Sequence, residues 1–124
     1  MTRSKFMAAG VLTALSLPLA ACGETAFSKE VTPICLEQLT AEQCSCIVSG
    51  LDDGLPDRVK TAFVALRWEL RPDPKDRERV NNAALRAAGV DPADRQAVQS
   101  IRSEFRDTYY PLRDKLSDQC GASL

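Results

Sequence analysis

One helical pattern runs uninterrupted through the last quarter of the chain. Val98, Ile101, Phe105, Tyr109, Leu112 and Leu116 recur by three and four for about five turns, and Cys120 arrives on the same side. In a chain of 124 residues a stripe of this length is needed for the core, and the other segments must supply what it faces. A helix from Asp91-Pro92 to about Gln119 is expected. Its phase persists through Pro111, which points to a kink at or near Asp107; a pair of helices broken at Tyr110 is the alternative.

The preceding segments are read in the same way. Thr40-Ala41-Glu42-Gln43 fits a capping box and starts a helix running to about Asp53, with Cys44, Ile47, Val48 and Leu51 on its apolar face. Cys46 falls on the other side of that helix, above Gly50. Pro33 is expected to open a short helix through Leu39. Pro56 and Asp57 suit the first turn of another running to about Arg71, whose main stripe is Val59, Ala62, Phe63, Leu66 and Leu70. Val64 and Trp68 fall opposite that stripe, bordered by Lys60, Arg67 and Arg71. Packing inside the bundle is the simpler reading of this second strip; a partner patch of Val64, Trp68, Arg67 and Arg71 is the functional one. Arg71-Pro72-Asp73-Pro74 makes a stiff connection, and a helix from Pro74 to Ala88 follows. Gly89 sets up a Schellman ending in which Leu85 meets Val90. The small face Val80, Ala83, Ala84 and Ala87 is expected to admit the long last helix closely. The fold class is therefore all-α: a small bundle of about four main helices plus one short N-terminal helix.

The N-terminus has another character. Arg3 and Lys5 precede an uncharged, mostly apolar run from Phe6 to Leu17, too short to span a bilayer comfortably, and Leu19-Ala20-Ala21-Cys22 follows. This segment resembles the signal peptide and lipobox of bacterial lipoproteins. The resemblance covers residues 1–23. It implies that residues 1–21 are a removed signal peptide and that Cys22 becomes the acylated first residue of the mature chain, held to a membrane through its lipid. Gly23, in place of the Asp that retains many enteric lipoproteins at the inner membrane, implies the outer membrane, facing the periplasm. Residues 22–32 then read as the lipidated cysteine and a flexible tether reaching at most about 30 to 36 Å, and residues 33–124 as the helical domain.

Removing residues 1–21 leaves one modest domain with 14 Lys and Arg against 17 Asp and Glu. Weak acidity spread along the chain argues against a nucleic-acid partner, and the lack of histidine removes the usual general base and the commonest metal ligand. With Cys22 assigned to lipid by the resemblance, Cys35, Cys44, Cys46 and Cys120 form an even set. In an oxidising envelope they read as two disulfides. A Cys44–Cys46 bond would break the helix, which leaves two connectivities. Cys44 shares its face with Ile47 and Leu51, and Cys120 ends the inward stripe, so Cys44–Cys120 with Cys35–Cys46 is expected. These closures are worth on the order of 3 to 4 kcal/mol each.

No Ser-based or carboxylate-pair active site can be assembled from these spacings. Asp52-Asp53-Gly54 with Asp57 resembles a calcium loop in composition alone, lacking the alternate oxygen ligands and the closing Glu. The expectation is thus a non-catalytic, lipid-anchored interaction or structural module of the cell envelope, with no cofactor and no metal, meeting an envelope protein through a helix face. The alternative is an envelope metal-binding or thiol-redox protein using Cys35, Cys44, Cys46 and Cys120.

Overall fold

The computed structural model describes residues 25–67 and 73–124. Six helices follow one another: α1 (Ala26–Cys35), α2 (Ala41–Gly54), α3 (Asp57–Thr61), α4 (Phe63–Leu66), α5 (Pro74–Ala87) and α6 (Arg95–Cys120). Among the described residues there is no strand.

The bundle is organised by the crossing of α2 and α6. α2 begins at the capping box: the Thr40 hydroxyl accepts the Gln43 amide and the Gln43 side chain accepts the Thr40 amide, both at 3.1 Å. Cys44, Ile47, Val48 and Leu51 are buried, as their spacing requires. A second face of α2, Cys46, Gly50 and Gly54, lies against α6. A Cβ built on Gly54 would come within 2.6 Å of Leu112, and one on Gly50 within 2.9 Å of Leu116 Cδ1. Cys46 is bonded to Cys120. The partners 46/120, 50/116 and 54/112 advance in opposite directions, so the helices are antiparallel, and small residues every fourth position bring them close. The Arg58–Glu104 ion pair at 3.0 Å ties the next segment to the same helix.

α6 is one helix, unbroken through the exposed Pro111, so the reading as two helices broken at Tyr110 does not hold. The carbonyl that Pro111 leaves without an amide belongs to Asp107, also exposed, where solvent can serve it. The helix starts three residues later than Pro92, because the Asp94 side chain caps the amides of Gln96 and Ala97. Ile101, Phe105, Tyr109 and Leu116 are its buried residues. Phe105 and Tyr109 stack at 4.7 Å between centroids, and Phe63 meets both at 6.1 and 5.7 Å. Phe27 of α1 meets Phe63 edge-on at 5.3 Å. The Tyr109 hydroxyl, fully buried, donates to the Leu124 backbone oxygen and holds the C-terminal residues over the core.

Three expectations are corrected. Residues 26–32 are not a tether: Thr25 caps the Ser28 amide, and Phe27, Val31 and Ile34 give α1 a buried face. Pro33 lies inside its last turn on the exposed side, where the missing amide bond to Lys29 costs least, and residues 36–39 form a turn. The helix after Pro56 is not continuous either. A turn at Ala62, with the Ala65 amide donating to the Ala62 carbonyl at 2.9 Å, separates α3 from α4 and resets the phase. Consecutive residues Ala62, Phe63, Val64 and Ala65 are consequently all buried. Finally, α5 packs chiefly on α4 and not on the last helix. Its Schellman ending forms as expected, with Gly89 at φ 80°, the Val90 amide donating to the Leu85 carbonyl at 2.8 Å, and both side chains buried.

Filling the α2–α6 contact should be costly. Gly50→Leu should lower the free energy of urea unfolding by about 1 kcal/mol net, because overpacking at about 2 kcal/mol exceeds the roughly 1 kcal/mol of helix propensity gained. Combining it with Leu116→Ala should cost less than the two single effects added together.

Candidate functional site

Of the residues expected to carry function, Cys22, Trp68 and Arg71 lie outside the described residues. Arg67 is half-buried, with its guanidinium 5.2 Å from the centre of the Tyr109 ring. Val64 is 2% exposed and belongs to the core, so it cannot form part of a surface patch. The packing reading of that strip holds for Val64, and the reason is the phase reset at Ala62.

Cys35, Cys44, Cys46 and Cys120 are paired, with a connectivity that corrects the expected one. Cys35 bonds Cys44 and Cys46 bonds Cys120. The expectation treated α2 as having a single inward face. In fact α1 runs back along α2 across the Thr40 turn and places Cys35 against Cys44, both buried. Cys46, two residues on and nearly opposite around the helix, begins the glycine face that lies on α6. Two disulfides therefore serve two separate contacts of α2. In this state none of the four sulfurs offers a thiolate to a metal or to a redox partner. Among the described residues, no group of three or more Cys, Asp or Glu is placed to hold a metal ion.

A polar clasp joins the start of α1 to the end of α2 and to α3. The Thr25 hydroxyl donates to Asp52 Oδ2 at 2.5 Å, while Lys60 Nζ donates to Asp52 Oδ1 at 3.1 Å and to its backbone carbonyl at 2.9 Å. Burial alone would raise the Asp52 pKa, but the hydrogen bonds from Thr25 and Lys60 outweigh it and hold the carboxyl below its ordinary value. The hydrogen bond to Asp52 pushes Lys60 up, against a smaller effect of burial. Asp52 was conspicuous in the sequence only as part of an acidic run, and Lys60 only as a border residue. The signal that links them is their separation across the Pro56 turn. Asp52 is thus an anion held by its own cation.

α1 stands as a ridge between two open grooves. One, about 610 Å³, lies between α1 and α2 and is lined by hydroxyl groups of Thr25, Ser28, Thr32, Ser45 and Ser49. The other, about 380 Å³, lies between α1 and α5. It is floored by Ala83, Ala84 and Ala87, with Lys60 and Arg79 at its edge. The alanine face of α5 is therefore left beside α1 and not covered by the last helix.

Large apolar side chains are exposed at two described positions, Leu36 and Tyr110. Tyr110 continues the core aromatic column outwards, 5.2 Å from Tyr109 and 6.0 Å from Phe105, and carries the Arg113 guanidinium over its ring at 4.9 Å.

No protein-family model, no curated protein and no solved structure matches this chain.

Two measurements check this geometry. Non-reducing peptide mapping should recover Cys35–Cys44 and Cys46–Cys120. Removing the second as Cys46→Ala/Cys120→Ala should lose about 4.5 kcal/mol, since its loop closes 74 residues, against about 2.5 kcal/mol for the entropy of the nine-residue loop. For the clasp, a depressed Asp52 contributes stability that is present above its ordinary value of 3.8 and is lost as pH falls through the lower folded value. Raised Lys60 contributes stability present below its ordinary value of 10.5 and lost as pH rises through the higher folded value. The difference in melting temperature between wild type and Asp52→Asn should be level at neutral pH and shrink below about pH 4.

Proposed function

We propose that this protein is a lipid-anchored, non-catalytic helical module of the bacterial cell envelope, held at the outer membrane through Cys22 and facing the periplasm. The observation that carries this reading is the cysteine balance. Cys35, Cys44, Cys46 and Cys120 satisfy one another, so Cys22 is left as the odd cysteine, and it is the one preceded by Leu19-Ala20-Ala21. A thiol that must stay free for acylation is best kept from pairing by giving every other thiol a partner. The disulfides also fit an oxidising compartment.

Metal binding through Cys35, Cys44, Cys46 and Cys120 is the weaker reading, because it requires thiolates that the pairing consumes, and thiol-redox function is weaker because Cys35 and Cys44 are buried, away from an exchanging thiol. The partner face that suits a structural or interaction module is Tyr110 with Arg113 on α6, an aromatic and arginine combination common at protein interfaces.

Metabolic labelling with a fatty-acid analogue tests the anchor directly. Wild type should take up label and sediment with outer membranes, and Cys22→Ser should lose the label and leave the membrane fraction. Label retained in Cys22→Ser, or wild type recovered unlabelled in the soluble fraction, would refute the reading.

A further inference from the structure

The reading of Cys22 as the lipid-bearing residue acquires a geometric consequence from α1. α1 begins at Ala26 with Thr25 as its cap, not at Pro33, so three residue steps separate Cys22 from the start of the described domain. Fully extended, they span about 11 Å. The polar layer of each leaflet is itself about 5–7 Å deep. Thr25 therefore cannot leave the immediate neighbourhood of the lipid headgroups.

Thr25 is not free to move relative to the bundle. It is bonded to Asp52, which is bonded to Lys60, so the start of α1 is fixed to α2 and α3. The long helix α6 lies on the other side of the core. Phe63 stands between Phe27 of α1 and the Phe105–Tyr109 pair of α6. A leash this short, attached to one side of a rigid body, selects which side meets the membrane.

We propose that the α1 side of the domain lies against the bilayer surface, with the ridge of α1 and its two flanking grooves at headgroup level, and that the exposed back of α6 is turned towards the periplasm. The proposal rests on acylation of Cys22. Its occupant is a lipid surface, and the surface chemistry agrees. The α1–α2 groove offers hydroxyl groups to headgroup oxygens, and the alanine groove offers a shallow apolar floor edged by Glu30, Lys60 and Arg79. Asp52, which holds Thr25 in the clasp, is paired with Lys60. Tyr110 and Arg113, on the far helix, are left available to a protein.

The test uses the acylated full-length protein, reconstituted in vesicles of phosphatidylethanolamine and phosphatidylglycerol that contain a nitroxide-headgroup lipid. A fluorescent non-natural residue replaces either Lys29 on the outer face of α1 or Asp107 on the back of α6, both exposed, and a thermal melt verifies folding. Quenching should be severalfold stronger at position 29 than at 107. A Gly/Ser spacer of about 20 residues inserted between Glu24 and Thr25, with a root-mean-square span of about 25 Å, should bring the two positions towards equality. Equal quenching at the natural spacing, or a difference that the spacer leaves unchanged, would overturn the proposal. Mass measurement of the purified protein separates the two levels: acyl mass with equal quenching sinks the orientation alone, whereas an unacylated Cys22 sinks the anchor and the orientation together.

Discussion

The close approach of α2 to α6 is the constraint on which the rest of the structure depends. Gly50 and Gly54 remove the side chains that would hold the helices apart, and Leu116 and Leu112 fill the space. The Cys46–Cys120 disulfide fixes the register at one end. Because α6 is bound so closely along its second half, Phe105 and Tyr109 reach across to Phe63, and through Phe63 to Phe27. A wider crossing would open the middle of this aromatic column. For a domain near the size at which one core barely suffices, that column is a large share of the apolar area buried.

Polar groups complete the arrangement at places the core cannot reach. The buried Tyr109 hydroxyl donates to the Leu124 backbone oxygen, so the C-terminal residues are part of the fold, not an appendage. At the other side the Thr25–Asp52–Lys60 clasp fixes the start of α1 with charge-assisted hydrogen bonds in a partly shielded setting. Together with Cys35–Cys44 at its far end, the clasp holds a ten-residue helix that would not persist alone in water.

Much of this was legible in the sequence, and the failures share a cause. The all-helical class, the capping box at Thr40, the Schellman ending at Gly89 and the long stripe of α6 are local or strictly periodic signals, and the structure contains each of them. What was missed required two faces to be read on one helix. Cys46, Gly50 and Gly54 recur at intervals of four, the pattern of a close helix contact, but small residues carry little hydrophobic signal and the Cys44–Leu51 face overshadowed them. Reading them together would have directed Cys46 to Cys120. At α1, Phe27 and Val31 are visible in the sequence, but a proline favours the first turn of a helix, so Pro33 points to a start where the structure has the last turn. Ala62 is a different case, since nothing in its local sequence announces the turn that buries Val64.

On the proposed reading, function and stability are carried by different parts of this chain. Leu19 to Cys22 would be an address read by a processing enzyme, a role set by local sequence and not by packing. The packed domain has the opposite character: Cys35, Cys44, Cys46 and Cys120, Gly50 and Gly54, and the buried aromatics are accounted for by packing. The two parts are linked by the position at which helix begins. If Cys22 carries the proposed lipid, a first helix opening at Pro33 would let the domain swing on eleven residues and turn any face to the membrane. Because Thr25 is clasped to Asp52, only three residue steps remain, and the proposed anchor would limit orientation as well as location. On that proposal the face of α6 that carries Tyr110 and Arg113 is turned to the periplasm by the same clasp that keeps α1 in place.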